Sequence, residues 1–555
     1  MQRRHDPQRA AAGGAAVRRL LALLALALLV ACTSEEAPTL RTGSAAAEPG
    51  GTLRIATTQP GGVDPGNAYE PVGLLLARAL CTPLLGTDPA TGELVPGIAS
   101  SWLIADGGST VSLRLRDDVV FSDGSPLTAA DVAFSLSRVA SADYASTSAE
   151  LLSPIAGYPE MHGDVPTDKD SERRRLIGVE VRDDENVLIT LREPLSDFVR
   201  VLTSPVTAPV SQAAAERDPA GFARNPVCVG PYVLDSPYAP GDTTVRLVRS
   251  DAYTPVDSSR TRGGASYADV VELLVLPSAD AAAEAVLAGT ADVAAARPAD
   301  AAESGPGVML EYLGLPTGVA GFDDPAVRRA LALAIDREEL VRRVFPGTRA
   351  PATGFLPPVA DSTCAGLPAR GDVEGARALL RSSGADLSSV RVPLLFNDEL
   401  RNGELVAEVA RQLREAVGLV AVPTPLSYDE FLARGTGTRG FEGMFRFSWS
   451  VPHSSVDGYL HPLFSSDRIG RDNLSRFSDP DVDRVLDRVA REAEDDEDRA
   501  LGYARVAELL CEQMPMVPLT TSLSRWVLSD RVASATGSVV DASTGALMVR
   551  ELFLR

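Results

Sequence analysis

Lysine is almost absent from this 555-residue chain, which contains a single one, Lys169, between two aspartates. A Walker A loop needs a lysine to contact phosphates, and a pyridoxal-type enzyme needs one for its Schiff base, but the residues around Lys169 match neither motif. The motifs HExxH, CxxC and GxSxG are absent as well. The sequence therefore argues against the common motif-bearing enzymes, and we expect no enzyme activity, no cofactor and no metal ion.

Positive charge is also scarce, because 53 lysines and arginines face 75 acidic residues and leave a formal net charge of −22. The field of so acidic a chain does not attract nucleic acid or anionic lipid. We therefore expect no nucleic-acid partner. The sequence also lacks an internal repeat of about 20 to 50 residues, which argues against a solenoid or a propeller.

Cysteine is rare, with five in the chain. Cys81, Cys228, Cys364 and Cys511 lie far apart, and this spacing excludes a compact zinc knuckle. An even number of cysteines outside the cytoplasm favours two disulfides, for which three pairings are possible. Buried free thiols are the alternative, and the sequence leaves the pairing open.

The first 50 residues have the pattern of an export signal and a tether. Arginines precede the apolar run Leu20–Val30, which is shorter than the roughly 20 residues that cross a bilayer, so the run predicts a secretory signal. The tetrapeptide that ends in Cys32 resembles the lipobox of bacterial lipoproteins, in which the cysteine is acylated. We expect residues 1–31 to be a lipoprotein signal peptide and residues 32–50 a flexible tether. An ordinary cleaved signal is the alternative.

The remainder of the chain alternates strand patterns with helix patterns. About 505 residues follow the tether, more than one hydrophobic core usually serves, so we expect two or three domains. Alternating apolar residues predict strands at TLRIAT, TVSLRLR and VLITL, and the run VVELLVL predicts a buried strand. Thr128 with Asp131 forms a capping-box pattern, and Asp324 and Asp479 each precede a proline at the start of a helix. The pattern predicts an α/β protein.

One long stretch carries a specific family resemblance. Residues 98–139, IASSWLIADGGSTVSLRLRDDVVFSDGSPLTAADVAFSLSRV, resemble the signature region of the bacterial extracellular solute-binding proteins of family 5. These proteins are the oligopeptide-, dipeptide- and nickel-binding components of ABC importers. Further matches follow in the family's order at 225–234, 247–253, 285–293, 322–340 and 503–519. The resemblance covers nearly the whole chain after the tether.

The resemblance implies an α/β fold like the type II periplasmic binding proteins, with two lobes, a hinge and an inserted third small domain. The first lobe would be discontinuous and the second would close over ligand from the other side of a cleft. The implied limits are 51–86, 200–270 and 512–555 for the first lobe, 87–199 for the small domain and 271–511 for the second lobe.

The implied function is a lipid-anchored receptor of an ABC importer, on the outer face of the cytoplasmic membrane. It would capture a peptide or a peptide-like small polar solute in the interlobe cleft and deliver it to a permease and ATPase complex. We expect a monomer. A signalling or scaffold lipoprotein derived from the same fold, without transport, is the alternative.

The stretch FRFSWSVPHSSVDGY, residues 445–459, resembles the family segment in which a tryptophan precedes ligand-contacting residues. A metal site is a poor alternative, because His453 and His461 would lie about 12 Å apart on a helix that rises 1.5 Å per residue. We therefore expect a pocket wall here. The residues expected to contact ligand are Trp449, Ser450, Val451, Pro452, His453, Tyr69, Leu315 and Thr317.

Two departures from the family pattern bear on the ligand. Pro452 stands where peptide-binding members carry the aspartate that pairs with the α-amino group of the peptide, and His453 replaces the adjacent tyrosine. Pro316 stands where the family usually has asparagine. A proline cannot balance a buried ammonium group, so these departures argue against recognition of a free α-amine.

Overall fold

The computed structural model describes most of the chain after the tether. The described residues are 49–555, except 69, 89–90, 164–174, 256–265, 297–302, 357–362, 389, 400, 451–454, 494–495 and 542–543. Cys32 and the predicted signal and tether therefore lie outside the described residues, apart from the last two residues of the tether.

Nineteen strands lie in this part of the chain. They are β1 (Thr52–Thr57), β2 (Leu85–Thr87), β3 (Leu94–Pro96), β4 (Ala99–Ala105), β5 (Thr110–Leu115), β6 (Val179–Val181), β7 (Asn186–Thr190), β8 (Tyr232–Leu234), β9 (Thr244–Arg249), β10 (Val270–Val275), β11 (Val293–Ala295), β12 (Glu303–Gly314), β13 (Arg349–Pro351), β14 (Arg391–Asn397), β15 (Val420–Leu426), β16 (Met444–Trp449), β17 (Met516–Leu528), β18 (Val532–Ser534) and β19 (Leu552–Leu554). The four strands predicted from alternation or from an apolar run are confirmed as β1, β5, β7 and β10.

Fifteen α-helices lie among the same residues. They are α1 (Pro71–Leu80), α2 (Ala129–Ala140), α3 (Tyr158–His162), α4 (Phe198–Val201), α5 (Gln212–Arg217), α6 (Pro219–Phe222), α7 (Ala279–Leu287), α8 (Pro325–Ala334), α9 (Arg337–Val344), α10 (Val373–Ser383), α11 (Asn402–Val417), α12 (Tyr428–Thr436), α13 (Asp457–Phe464), α14 (Pro480–Glu492) and α15 (Asp496–Gln513). None of the described helices is long and apolar enough to cross a membrane.

The three helix starts predicted from capping chemistry are confirmed. Thr128 and Asp131 form a capping box ahead of α2. Asp324 accepts a hydrogen bond of 2.8 Å from the backbone N–H of Ala326, and Asp479 accepts one of 2.8 Å from Asp481. These side chains satisfy backbone donors that have no partner inside the first turn of a helix, so local sequence alone sets where α2, α8 and α14 begin.

One large mixed sheet runs through both lobes. Its strand order is β15-β14-β16-β12-β17-β11-β1-β10-β9-β8, and β13 pairs with β17 beside this path. The two longest strands, β12 and β17, are antiparallel neighbours at the centre. Each contributes one half to the first lobe and the other half to the second.

The first lobe is built around β1, which pairs in parallel with β10 and β11. Leu53 and Ile55 of β1 are buried in its core with residues from α1, β8, β9 and the C-terminal segment. Residues 270–275 and 293–294 thus pair with β1, whereas the expected limits assigned residues 271–511 to the second lobe. The N-terminal half of β17 likewise packs with the second lobe, although 512–555 was expected in the first.

The second lobe has a separate core that extends along the chain from Leu310 to Leu519. It contains buried side chains of β14, β16 and the helices α8, α11 and α13. The small domain has a third core beneath the four-stranded sheet β4-β5-β7-β6 and the helix α2. Three cores in a mixed α/β chain confirm the predicted two-lobed fold with an inserted domain.

Two disulfides are present, and each lies within one lobe. Cys81, at the end of α1, pairs with Cys228 of the first lobe, with a Cα–Cα distance of 5.1 Å. Cys364 pairs with Cys511 of α15 in the second lobe, with a Cα–Cα distance of 5.4 Å. Both bridges therefore fix the interior of a lobe and leave the crossing strands unconstrained.

Candidate ligand-binding site

The crossing strands define the place where the lobes meet. Residues 303–306 of β12 pair with 523–526 of β17, whose end also pairs with β11 of the first lobe. Residues 310–314 of β12 pair instead with β16 of the second lobe and with the first half of β17. The register of the β12–β17 pairing shifts between positions 306 and 310, so the passage between lobes falls at this irregularity.

Trp449 lies directly beside this passage. It ends β16 and pairs with Leu310, the first residue of β12 in the second-lobe register. Its indole is half-buried against the core of the second lobe, and Nε1 donates a hydrogen bond of 2.7 Å to the carbonyl of Gly458. The hydroxyl of Tyr459 donates to the carbonyl of Val308 in β12. The start of α13 therefore holds both the indole and the crossing strand.

A buried hydroxyl lies in the same cross-strand row. Leu310 pairs with Trp449 on one side and with Thr521 of β17 on the other. Residues directly opposite in a sheet present their side chains to the same face, so these three side chains form a row. The Thr521 hydroxyl is buried and has no hydrogen-bond partner among the described residues. The buried Leu310 separates the Thr521 hydroxyl from the indole, so in this row the half-buried Trp449 is the side chain that can offer a solute a stacking surface.

Among the described residues that were expected to contact ligand, Leu315 and Thr317 do not lie beside Trp449. Ser450 follows it and is exposed. Leu315 is fully buried in the core of the second lobe, and it lies five residues beyond Leu310, roughly 17 Å at about 3.4 Å per strand residue. Thr317 donates from its hydroxyl to the carbonyl of Arg476 at 3.0 Å, which is a contact within the second lobe. Val451, Pro452, His453 and Tyr69 lie outside the described residues.

A cluster of buried polar side chains surrounds Glu311 of β12 and was not predicted from the sequence. It holds β12, where the strand passes between the lobes, from the face opposite Leu310. Glu311 is buried and forms an ion pair with Arg446 of β16, whose Nη1 also donates to Asn397 Oδ1 of β14 at 3.1 Å. Arg349 of β13 lies 3.7 Å from the second oxygen of Glu311. Burial lowers the pKa of Arg349, and the charge of Glu311 opposes this effect. The sequence signals were a charged residue inside each of two apolar runs, Glu311 in VMLEYL of β12 and Arg446 in MFRFSW of β16.

Of the two histidines considered for a metal site, His453 lies outside the described residues and His461 contacts an aspartate. His461 Nε2 lies 3.5 Å from Asp467 Oδ1. Burial alone would lower the pKa of His461, but the contact with Asp467 outweighs it and the pKa is raised. Asp457 is buried, and burial raises the pKa of its carboxyl. Among the described residues, no group of three His, Cys, Asp or Glu side chains could hold a metal ion.

The segment after Trp449 also contacts the small domain. Ser455 donates a hydrogen bond to Asp197, which is 2 % exposed and lies just before α4. The neighbouring Ser196 donates to Val489 from its hydroxyl and to Ala490 from its backbone N–H, both at 3.0 Å. Burial raises the pKa of Asp197 to about 6, although Arg200 and the Ser455 hydrogen bond favour the ionised form. All three bodies of the protein therefore meet near Trp449.

Comparison with known proteins places this geometry in a family. The family model described as bacterial extracellular solute-binding proteins, family 5 Middle, matches residues 93–471. The glutathione-binding protein GsiB of Escherichia coli O1:K1 is 26 % identical over 473 residues, which cover 82 % of this chain and 86 % of that protein. GsiB of Salmonella typhimurium is 26 % identical over 474 residues, with the same coverage.

Solved structures share the fold. The periplasmic murein tripeptide binding protein MppA, in its unliganded open form, superimposes with a TM-score of 0.75 at 22 % identity, over 92 % of this chain and 98 % of that one. The clavulanic acid biosynthesis oligopeptide binding protein 2 superimposes with a TM-score of 0.76 at 22 % identity, over 92 % and 96 %. The family model covers more than half of the chain and the fold agrees throughout. The chain belongs to the bacterial extracellular solute-binding proteins of family 5.

Proposed function

We propose that this chain is the substrate-binding component of an ABC importer that captures a peptide or peptide-like small polar solute between its lobes. The observation that carries the proposal is the pairing of Trp449 with Leu310, where β12 passes from one lobe to the other. A ligand held between the lobes has to lie beside this passage. An aromatic side chain there contributes a large apolar surface at the point where closure excludes water.

The half-buried state of Trp449 supports a binding role over a purely structural one. The residue packs against the core of the second lobe on one side but keeps part of the indole exposed. Its N–H is already satisfied by Gly458, so the ring is fixed before any solute arrives. A fixed aromatic anchor loses little conformational freedom on binding, which favours affinity.

The names of two similar proteins suggest which solutes to test first. GsiB binds glutathione, and MppA binds a murein tripeptide. In glutathione the free α-amine belongs to a γ-linked glutamate and shares its carbon with a free α-carboxylate, so this amine has a counter-charge within the solute, unlike the amino terminus of an ordinary peptide. Such a solute agrees with Pro452, which cannot supply the carboxylate that pairs with an ordinary peptide amino terminus. We therefore propose γ-linked or otherwise modified peptides as the substrate class.

We also propose that the protein is anchored through Cys32. Signal peptidase would remove residues 1–31, and the Cys32 thiol would carry the lipid as a thioether. Residues 32–50 would then tether a monomer to the outer face of the cytoplasmic membrane, from which it delivers solute to a permease and its ATPase. The small polar composition of 33–50 supports a tether, because it lacks an apolar period.

Native mass spectrometry of the protein purified from its own host tests the proposal. We expect an added mass that corresponds to a small polar solute and that is lost when the protein is unfolded in acid. The released solute is then identified by fragmentation. A protein that carries no solute, and that also fails to bind glutathione and trialanine in calorimetry, would support the signalling or scaffold alternative.

A further inference from the structure

A continuous run of hydrogen bonds connects Trp449 with the small domain. The indole N–H of Trp449 donates to the carbonyl of Gly458 at 2.7 Å, and the backbone N–H of Gly458 donates to the Ser455 hydroxyl at 3.2 Å. The Ser455 hydroxyl donates to Oδ2 of Asp197. Three hydrogen bonds therefore join an aromatic side chain of the second lobe to a carboxylate that is 258 residues away from Ser455 in the chain.

The two oxygens of Asp197 serve different bodies. Oδ2 accepts the hydrogen bond from Ser455 of the second lobe, whereas Oδ1 lies 3.4 Å from Arg200 Nε. Arg200 is on α4, whose buried residues pack in the core of the small domain although residues from 200 onward were expected in the first lobe. Arg200 in turn donates to the carbonyl of Gly92 at 3.1 Å, which also belongs to the small domain. Contacts within the small domain therefore hold the Asp197 carboxylate in place, and its Oδ2 oxygen faces the second lobe.

Charged and titratable groups surround Asp197 on each element packed against it. Arg200 lies on α4, Asp457 on α13, and Arg499 and Tyr503 on α15. Asp457 itself faces His461 and Arg468. A second carboxylate and burial both disfavour ionisation of Asp197, and the two arginines favour it. Because burial raises the pKa of Asp197 to about 6, we expect its charge to change near pH 6 and the strength of the hydrogen bond from Ser455 to change with it.

We propose that Asp197 is a positioning residue for the ligand site, because it fixes through Ser455 the turn at residues 455–458 that holds the Trp449 indole. The small domain then orders the binding wall of the second lobe. The inference rests on the proposed function only in assigning Trp449 to the ligand site. The hydrogen-bonded link itself is independent of that assignment.

The same interface supplies a matched control. Ser196 adjoins Asp197 and donates from its hydroxyl to the Val489 carbonyl, so it also joins the small domain to the second lobe. That bond does not lead to Trp449. A residue that merely holds the two bodies together should behave like Ser196, whereas a positioning residue should affect the indole.

The test follows the indole directly and needs no solute. The chain has three tryptophans, so Trp102→Phe and Trp526→Phe leave Trp449 as the only one. Acrylamide quenching of its fluorescence is measured from pH 5 to pH 8 in the full-length protein with and without Asp197→Asn, Ser455→Ala or Ser196→Ala. We expect quenching to fall as the pH rises through the ionisation of Asp197. Asp197→Asn and Ser455→Ala should lose this transition and keep the high quenching of low pH, and Ser196→Ala should retain it.

One further variant, and one that is already in the set, keep the result decisive. Ser455→Thr retains the hydroxyl and should restore the transition, and Ser455→Ala decides the matter if Asp197→Asn does not fold. Unchanged quenching in both Asp197→Asn and Ser455→Ala would overturn the inference, and so would an equal loss in Ser196→Ala. Solute binding by Trp449→Ala is a separate measurement: if it is undiminished, the proposed binding wall fails while the link to Asp197 stands.

Discussion

Trp449 and Leu310 are direct cross-strand neighbours at the first position where β12 pairs with the second lobe. This pairing places Trp449, the largest side chain of β16, beside β12 and near β17. Among the described residues, β12 and β17 are the two strands that run through both lobes. Any rotation of one lobe against the other has to bend β12 and β17 near this pair. Solute contact and lobe movement are therefore expected at one place.

Replacing Trp449 by alanine should weaken solute binding by about 1 to 3 kcal/mol, the range for a well-buried aromatic anchor. Isothermal titration calorimetry with glutathione, or with the solute identified by mass spectrometry, measures the loss. Trp102→Ala is the control, because Trp102 is half-buried in the small domain and should leave affinity unchanged. If Trp449 only packs in the second lobe, the variant should instead lose about 3 to 5 kcal/mol of stability, and affinity should fall only with the folded fraction.

Replacing Pro452 by aspartate should restore the carboxylate that peptide-binding members use. If the natural solute has no unbalanced free α-amine, we expect the variant to bind that solute more weakly, because the new carboxylate would have no cationic partner. It should also acquire binding of trialanine, which has an ordinary free α-amine. Pro452→Asn, which adds a side chain of the same shape without charge, separates the effect of charge from the loss of proline. Tighter binding of the natural solute by the aspartate variant would return the protein to the ordinary peptide-binding class.

Replacing Cys32 by serine should abolish lipid attachment. The intact mass of the wild-type protein should show an acylated chain that begins at residue 32, and the variant should lack the acyl mass. The variant should also move from the detergent phase to the aqueous phase in Triton X-114 partition. A wild-type protein without acyl mass, or a substitution that changes neither mass nor partition, would show that the lipobox interpretation is wrong.

Stability should depend on pH through Asp197. Its pKa is raised to about 6 by burial, above the value of about 3.9 in an unfolded chain, so the folded protein binds the proton more tightly. The contribution of Asp197 to stability is therefore fully present below about pH 4 and declines as pH rises to about 6. Relative to Asp197→Asn, the wild-type protein should lose about 1 to 3 kcal/mol between pH 4 and pH 7. Thermal unfolding of both proteins across this range measures the difference, and a constant difference would contradict the prediction.

Local chemistry made part of the fold predictable. Thr128, Asp324 and Asp479 cap helices through bonds to residues two or three positions away, so the sequence indicated where those helices begin. The alternation of apolar and polar residues in β1 and β5 is also a local pattern, so the sequence predicted these strands as well. The family resemblance then supplied the arrangement of the lobes, which no local pattern contains.

The errors and omissions concern contacts between distant residues. The second lobe was expected to begin at residue 271, but β10 pairs with β1, more than 200 positions earlier, and no local feature of β10 reveals this partner. Leu315 and Thr317 were chosen from a motif, and a motif does not show that one side chain is buried and the other bonded to the backbone. The contact between Asp197 and Ser455 was invisible for the same reason, since it depends on how two domains dock.

The docking of Ser196 against Ala490 has a mechanical consequence. The small domain is joined to the first lobe by the chain itself and to the second lobe by hydrogen bonds, while β12 and β17 join the lobes directly. The three bodies thus form a closed linkage rather than an open one. When three bodies are connected in a ring, none of the connections can move alone. Bending of β12 and β17 must therefore be accompanied by sliding or breakage of the contact between Ser196 and Ala490. The travel of the lobes is therefore limited by the small domain as well as by the hinge.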